Sequence, residues 1–484
     1  MADTLTPDIC VIGAGSGGLV VASAAAAFGV DVVLIEKGKM GGDCLNYGCV
    51  PSKAIIASAK HAWSMKEAGK FGVHVPGANS DDAKVQPTVN FGEVHDHIHS
   101  VIETIAPMDS PERFEAMGVT VLLDAARFTD AKTVVCGDTT IKARRFVVAT
   151  GSQAFVPPIP GLDTVDYETN ETLFDRKKAP GHFIVIGGGP IGMEMAQAHR
   201  RLGAKVTVIE GLKALGNDDP ELVAIVLDKI RDEGVDIREG VKVTGVEKTE
   251  KGKIAMRLKT NDGSETIEGD TLLVATGRAA TINGLDLAKA GIEHTKKGIK
   301  VDNKMRTSNK RVYAIGDVAG GLQFTHVAGY HAGLVIRSIL FRLPAKENTH
   351  IIPWSTYTQP ELSQVGHTEA SAREAIGDIK ILRWPYAEND RAQAEKKTTG
   401  LIKIITNKKG RIEGVSIAGE MAGEMINMWA LAISQGMTVR DVAGYIPPYP
   451  TMTEIGKRAA TAYYTPSTKN PWVQRVIRFL RIFG

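Results

Sequence analysis

Apolar runs of four or five residues, each followed by a glycine cluster and then a helix-period segment, recur along the first two thirds of the chain. Residues 8–12 (DICVI) form the first run, short and apolar enough for a strand buried on both faces. Gly13-Ala14-Gly15-Ser16-Gly17-Gly18 follows, then an alanine-rich stretch predicted as a helix to Phe28, stopped at Gly29. A second apolar strand at 32–35 is closed by Glu36. The order then returns: strand 182–186, Gly187-Gly188-Gly189-Pro190-Ile191-Gly192, helix to Leu202, Gly203, strand 206–209 and Glu210. Gly13 to Glu36 and Gly187 to Glu210 both span 23 residues, and each helix-ending glycine stands seven before its acid. Apolar strands also run into Ala149-Thr150-Gly151 and Ala275-Thr276-Gly277, predicting the strand that closes each layer.

The stretch from residue 40 is predicted as mostly helical to about Met117, with strands at 119–123 and 133–135. Pro157-Pro158-Ile159-Pro160-Gly161 signals a linker, and residues 307–317 a strand leading to Gly316-Asp317. From about Pro353 the pattern changes. Strands at 379–384 and 401–406 and a helix at 424–436 carry no glycine-rich motif, which predicts an α+β domain.

The repeated strand–glycine–helix–strand–acid unit is a dinucleotide-binding pattern in its required context. Gly13 and Gly187 make the turn, Gly15 and Gly189 let backbone approach a pyrophosphate, and Gly18 and Gly192 pack helix on strand. A helix N-terminus offers N–H groups and a positive dipole end to phosphate. Glu36 and Glu210 are placed to accept hydrogen bonds from ribose hydroxyls. Two matched units imply two dinucleotide sites.

Composition narrows the class. At 484 residues the chain is too long for one core. Its formal charge of +3 argues against a nucleic-acid partner. Four cysteines exclude a secreted disulfide scaffold, and two of them, Cys44 and Cys49, stand in MGGDCLNYGCVPSK at 40–53. Residues five apart on an ideal helix lie beyond the ~4.4–6.8 Å that a disulfide tolerates, so the helix must be distorted there, with Gly48 and Pro51 as the means. A pair held this way opens and closes. A redox pair in a cysteine-poor chain fits a reducing, cytoplasmic setting. The sequence near Met1 shows no targeting character, and no apolar run reaches the ~18 residues of a membrane span.

Residues 41–53 fit GGxCxNxGCxPSK, and with the paired fingerprints the chain resembles the class I pyridine nucleotide–disulfide oxidoreductases. These flavoproteins include dihydrolipoamide dehydrogenase, glutathione reductase and mercuric reductase. The resemblance implies an α/β fold with two Rossmann-like domains, for FAD and NAD(P), plus a C-terminal α+β dimerisation domain, working as a homodimer. The expected divisions are 1–155 for FAD, 156–278 for NAD(P), 279–350 completing the FAD site, 351–465 for dimerisation and a tail at 466–484. By position, Cys49 should be the thiolate nearer the flavin and Cys44 the cysteine that meets the acceptor. Lys53 should pair with Glu194 near the flavin. Asp317 should bind the ribitol, with Thr150 and Gly151 along the same cofactor, while Gly277 and Arg278 end the second nucleotide layer. Glu210 favours NADH, because an acid there repels a 2′-phosphate. No resident metal is expected.

One family feature is replaced. The acid–base histidine of His-Pro-Thr…Glu is Tyr449 here, in Tyr449-Pro450-Thr451-Met452-Thr453-Glu454, and Glu454 loses the partner it would orient. Tyrosine, near pKa 10, is poorly poised for a proton shuttle at neutral pH, where histidine near 6.5 is well placed. Mercuric reductases share the tyrosine, yet no cysteine follows Cys136 to deliver a metal ion. The expected activity is electron transfer from NADH through FAD to Cys44–Cys49, then to a disulfide or other small acceptor. The alternatives are metal-ion reduction and a membrane-surface NADH:quinone reductase.

Other features fall outside this chemistry. In His95-Asp96-His97-Ile98-His99 only His95 and His99 share a helix face, which reads as a solvated face. Cys10 and Cys136 fall in strands and read as core. His326 and His331 follow the Gly316-Asp317 turn and are expected along the FAD region, and Asp390-Arg391 is either a substrate-side or a surface pair. Residues 471–484 form a basic amphipathic helix, with Trp472, Val473, Val476, Ile477, Phe479, Leu480 and Phe483 opposite Arg475, Arg478 and Arg481, and Ile482 at the edge of the arginine face. It is expected to pack on protein or to contact an anionic membrane surface.

Overall fold

The computed structural model describes residues 3–74, 87–261 and 263–484. The part of the expected helical segment at 75–86 lies outside them. The chain divides into two compact units, Met1–Gly211 with Asp236–Glu347, and Leu212–Val235 with Asn348–Gly484.

In the first unit, Ile9–Ile12 and Val32–Ile35 are the centre of a parallel sheet in the order Val312–Ala314, Arg145–Val148, Ile9–Ile12, Val32–Ile35, Val119–Leu122. Both central strands are buried along their whole length. Alternation across the pleat sends their side chains into two separate cores. Ile9, Val11, Val32 and Leu34 pack among the helical residues Leu19, Ala22 and Val335. Cys10, Ile12, Val33 and Ile35 pack with Phe128, Val134 and Cys136 on the other face. Cys10 and Cys136 are therefore core residues, as expected, and burial raises both thiol pKa values.

The second layer of this unit repeats the plan. His182–Ile186 lies between Lys205–Glu210 and Thr271–Val274, parallel to both, with Val235–Glu239 at the edge. A three-stranded antiparallel sheet, Lys242–Lys248, Ile254–Thr260 and Gly263–Gly269, is inserted before Thr271–Val274. The short strands Ser152–Ala154 and Arg278–Ala280, which follow the closing strands of the two layers, pair antiparallel.

The second unit is an antiparallel sheet in the order Trp354–Thr356, Glu361–Gly366, Ile412–Gly419, Leu401–Asn407, Ile379–Pro385. The helices Ala422–Ser434 and Glu454–Ala462 bury Trp429, Ile426, Ile455 and Ala459 against it. The helix Pro220–Asp232 belongs to this unit. Lys403, 3% exposed, ties its start to the sheet through Asp219 at 2.8 Å and Glu221 at 3.0 Å, with Glu369 at 2.6 Å. Three carboxylates offset the cost of burying one ammonium.

Candidate functional site

The fingerprint glycines divide into two kinds. A Cβ built on Gly13, at φ +105°, would lie 2.4 Å from the Ala149 carbonyl oxygen, and one on Gly187, at φ +112°, 2.3 Å from that of Ala275. A Cβ on Gly18 would meet the Gly13 carbonyl oxygen at 1.8 Å, and one on Gly192 that of Gly187 at 2.0 Å. These four are required by packing within the protein. At Gly15 the nearest atom would be 3.9 Å away, and at Gly189 none lies within 4 Å. Those two are the N-caps of the helices Ser16–Ala27 and Pro190–Arg201, and neither helix has a side-chain cap. First-turn N–H groups above an open glycine suit the pyrophosphate of a dinucleotide at each of the two layers. The acids face the same loops. Glu36 accepts from the Ala14 and Gly38 N–H groups, each at 2.7 Å, and Glu210 accepts from Gly188 N–H at 2.7 Å.

The cysteine stretch packs directly on the first fingerprint. Gly41 N–H donates to the Ala14 carbonyl at 2.9 Å. A Cβ on Gly42 would lie 2.7 Å from Gly15 Cα. Asn46 Nδ2 closes the loop by donating to the Met40 and Gly42 carbonyls at 3.0 and 2.9 Å. The expected distortion between the cysteines is a full break. One helix runs Gly42–Asn46, Tyr47 leaves helical geometry at φ −141°, ψ −1°, and a second runs Cys49–Glu67. Gly48 makes the break tight: a Cβ there would lie 2.9 Å from Asp43 Oδ2 and 3.4 Å from Cys44 Cα. Pro51 sits in the first turn of the second helix, where its missing N–H costs nothing.

Cys49 opens its helix and Cys44 lies in the preceding one, exposed and half-buried respectively. With both as free thiols, Cys49 is pulled down to about 6, first by the Cys44 side chain donating to it, then by Thr325 and the Lys53 ammonium. The Thr325 hydroxyl lies 3.2 Å from its sulfur. Cys44 moves the other way, because it holds the proton that Cys49 accepts and because it is partly buried. Thr325 is the first residue of the helix Thr325–Leu340, so two helix N-termini meet at one sulfur. Lys53 Nζ is 2.8 Å from Glu194 Oε2, and the Glu194 side chain is only 7% exposed. The expected pair is thus formed between the cysteine helix and the second fingerprint helix.

Arg278 joins the ends of the two layers. Its guanidinium donates to Ser152 Oγ at 2.6 Å and to the Ser152 carbonyl at 2.9 Å. It pairs with Asp43 Oδ1 at 3.0 Å and lies 3.8 Å from Asp317 Oδ2. Ser152 Oγ donates to Asp317 at 2.5 Å, and burial pushes the Asp317 carboxyl above the usual range. Thr150 donates to the Thr281 carbonyl at 2.7 Å, and Gly151 accepts from Thr281 N–H at 3.0 Å. Open space surrounds the Cβ positions of Gly151 and Gly277. His331 accepts from Gly316 N–H through Nδ1 at 3.2 Å and meets Glu347 at 2.9 Å, while His326 stacks on Phe324. Thr325, Asp43 and Ser152 carried no sequence signal, since each gains its place by meeting residues far away in the chain.

Tyr449 and Glu454 belong to the second unit. Tyr449 is 70% exposed and donates its hydroxyl to Asp390 Oδ2 at 2.9 Å, which raises its pKa above the ordinary tyrosine value. Glu454 Oε1 pairs with Arg458 at 3.0 Å. Glu454 Oε2 and the Tyr445 hydroxyl are buried without a hydrogen-bond partner among the described residues. The His95 and His99 rings lie 4.2 Å apart, on one face as expected, and His99 Nε2 reaches the Phe174 carbonyl. Among the described residues no group of three or more His, Cys, Asp or Glu side chains is arranged to hold a metal ion, and no helix is long and apolar enough to cross a membrane.

Known proteins are similar to this chain over most of its length. The family model "Pyridine nucleotide-disulphide oxidoreductase" matches residues 7–332, and the model of that family's dimerisation domain matches 352–460. Mercuric reductase from Bacillus cereus is 33% identical over 460 residues, 94% of this chain and 71% of the relative. Dihydrolipoyl dehydrogenase from Geobacillus stearothermophilus is 33% identical over 463 residues, 93% of this chain and 94% of the relative. Among solved structures, the Cu(II) complex of the HOCl-induced flavoprotein disulfide reductase RclA from Escherichia coli superposes with a TM-score of 0.82 at 27% identity, covering 93% of this chain and 98% of that one. The chain belongs to the pyridine nucleotide–disulfide oxidoreductase family, FAD-dependent NAD(P)H oxidoreductases that work through a redox disulfide.

Proposed function

We propose that the protein takes electrons from NADH, holds them as a dithiol at Cys44 and Cys49, and delivers them from Cys44 to a small acceptor. The observation that carries this reading is the unequal placement of the pair: Cys49 opens its helix with the Thr325 hydroxyl 3.2 Å from its sulfur and Lys53 one turn further along, while Cys44 lies half-buried in the preceding helix. Bound FAD would supply the two-electron link between NADH and the cysteine disulfide. Gly15, Glu36, Thr150, Gly151 and Asp317 would hold FAD, at a turn that Gly13 and Gly18 close by packing. Gly189, Glu210 and Gly277 would hold the nicotinamide cofactor, at the turn that Gly187 and Gly192 close, with Arg278 fixing Asp43 and Asp317. Lys53, neutralised in part by Glu194, keeps positive potential beside Cys49.

With a disulfide acceptor, the Cys44 sulfur bonds to one acceptor sulfur and the other leaves as thiolate. The Cys49 thiolate then attacks Cys44, expels the second acceptor thiolate and restores the protein disulfide. Cys44 must surrender a proton in the first step, and in the family that proton goes to the histidine that Tyr449 replaces. An exposed tyrosine with a raised pKa is a poor acceptor for it. A thiophilic metal ion asks less, since it displaces the Cys44 proton on binding. Relatives named for mercuric reduction, and a Cu(II) complex of a related reductase, support this second reading. Glu210 supports NADH over NADPH. The match to the family's dimerisation domain supports a homodimer, and the redox pair in a cysteine-poor chain supports a cytoplasmic setting.

Anaerobic titration with NADH tests the central assignment. A long-wavelength thiolate–flavin band should appear, persist in Cys44→Ser and vanish in Cys49→Ser. Persistence in Cys49→Ser would remove Cys49 from the site. An acceptor screen with lipoamide, glutathione disulfide, Hg(II), Cu(II) and quinones, under NADH and NADPH, separates the two readings.

A further inference from the structure

The helix Pro471–Leu480 lies outside both regions matched by the family, 7–332 and 352–460. It is held at its start by its own chain: Asn470 Oδ1 caps Trp472 N–H at 2.9 Å, and Gln474 Nε2 donates to the Thr468 carbonyl at 2.9 Å. Most of its apolar side is uncovered, with Val473 and Val476 half-buried. Trp472 is 69% exposed, Phe479 59%, Leu480 57%, Ile477 52% and Phe483 75%. Phe483 continues the same face, with its ring 5.3 Å from that of Phe479. In a soluble domain an amphipathic helix turns such a stripe inward, so an outward stripe calls for an occupant.

Charge identifies the occupant. From 455 to 484 the chain has no Asp or Glu but carries Lys457, Arg458, Lys469, Arg475, Arg478 and Arg481. No carboxylate lies within ion-pair distance of Arg475, Arg478 or Arg481 among the described residues. At about 100° per residue the apolar arc runs from Phe479 to Ile477, and Arg475 and Arg481 each fall about 40° outside one edge. Arg478 lies opposite the arc. A cation at each border of an apolar arc suits a helix lying in the plane of a bilayer, with its ring and aliphatic side chains among acyl chains and its guanidinium groups level with phosphates. A protein groove would instead need acidic groups on both rims.

We propose that this helix docks the enzyme on an anionic membrane surface, inserting Trp472, Phe479, Leu480 and Phe483 while Arg475, Arg478 and Arg481 meet lipid headgroups. The inference is independent of the acceptor and of the redox roles of the cysteines.

Sedimentation of the FAD-loaded full chain with phosphatidylcholine vesicles, with and without one quarter phosphatidylglycerol, tests it. The protein should partition onto the anionic vesicles, and more weakly as salt rises. Removing 471–484 should lower that partition at least ~100-fold, and Phe479→Glu at least ~10-fold. Replacing the three arginines by glutamine should cost on the order of 100-fold, at about fivefold per arginine. The truncated protein should keep its NADH-dependent reduction of a soluble acceptor and its mass by light scattering. Equal sedimentation after deletion, or full binding by the glutamine variant, would overturn the proposal. A change of oligomeric mass on deletion would also overturn it, by assigning the face to a subunit contact.

Discussion

Thr325 shows how a single hydroxyl shapes the redox site. It stands 276 positions from Cys49 and touches the sulfur at 3.2 Å. A hydrogen bond to a charged acceptor contributes about 1.5–3 kcal/mol, and partial replacement by water at this exposed sulfur reduces that. Thr325→Val should therefore raise the Cys49 pKa by about one unit from its value near 6, and Thr325→Ser should restore it. The pH profile of iodoacetamide alkylation of the reduced enzyme measures this directly. An unchanged profile would show that Lys53, Cys44 and the helix N-termini suffice. Nothing in the local sequence announces Thr325. Lys53 and Glu194 were recognisable only through a motif, because their 2.8 Å contact depends on two helices 141 positions apart in the chain. Arg278 was expected simply to end the second layer, and its partners Asp43, Ser152 and Asp317 came from the tertiary arrangement.

At the scale of elements, the glycines give a direct test of which positions serve packing and which serve a ligand. Gly192→Ala puts a methyl 2.0 Å from the Gly187 carbonyl oxygen and should lower thermal stability sharply. Gly189→Ala meets nothing within 4 Å, at a φ of −73° open to any L residue. It should fold with a melting temperature near the parent's, yet raise KM for NADH at least ~10-fold, because its methyl occupies the approach of the pyrophosphate. Equal NADH affinity would detach Gly189 from the cofactor. The helix Pro190–Arg201 also carries His199, 1% exposed and stacked on Phe183 at 4.3 Å. Burial, with Arg176 adding repulsion, holds its pKa down to about 4. An unfolded histidine takes up a proton near 6.5, before the folded one does. Stability is therefore complete above pH 6.5 and falls as pH drops toward 4, by up to ~3 kcal/mol. His199→Phe should flatten that acid limb in melting experiments. The repeated layers were legible because continuous apolar runs next to glycine clusters are local signals. The sheet at 242–269 was not anticipated, since its polar, edge-rich strands carry little apolar alternation.

For the whole molecule, turnover with a disulfide acceptor needs a proton acceptor for Cys44 as well as the cysteine pair. With Tyr449 where the family has histidine, lipoamide reduction at pH 7 should be slow beside reduction of metal ions or quinones. Tyr449→His should raise the lipoamide rate at least ~10-fold, a small part of what general base catalysis supplies elsewhere. Steady-state assays with NADH in excess measure it, and no gain would mean that Glu454, paired with Arg458, does not orient the new ring.

The sequence by itself determined the two nucleotide layers, the redox pair, the family and the missing histidine. Each of these is written in short-range spacing, where turn geometry and helix and strand periods are decided by neighbours. Only the tertiary structure decided that Thr325 meets Cys49, what Arg278 holds, that Glu454 keeps one oxygen without a partner among the described residues, and that most of the apolar face of Pro471–Leu480 is turned outward. Those properties depend on burial and on charges brought together from distant positions. The electrostatic environment of a side chain is a property of the packed chain, whereas the tendency to form a turn belongs to a few consecutive residues.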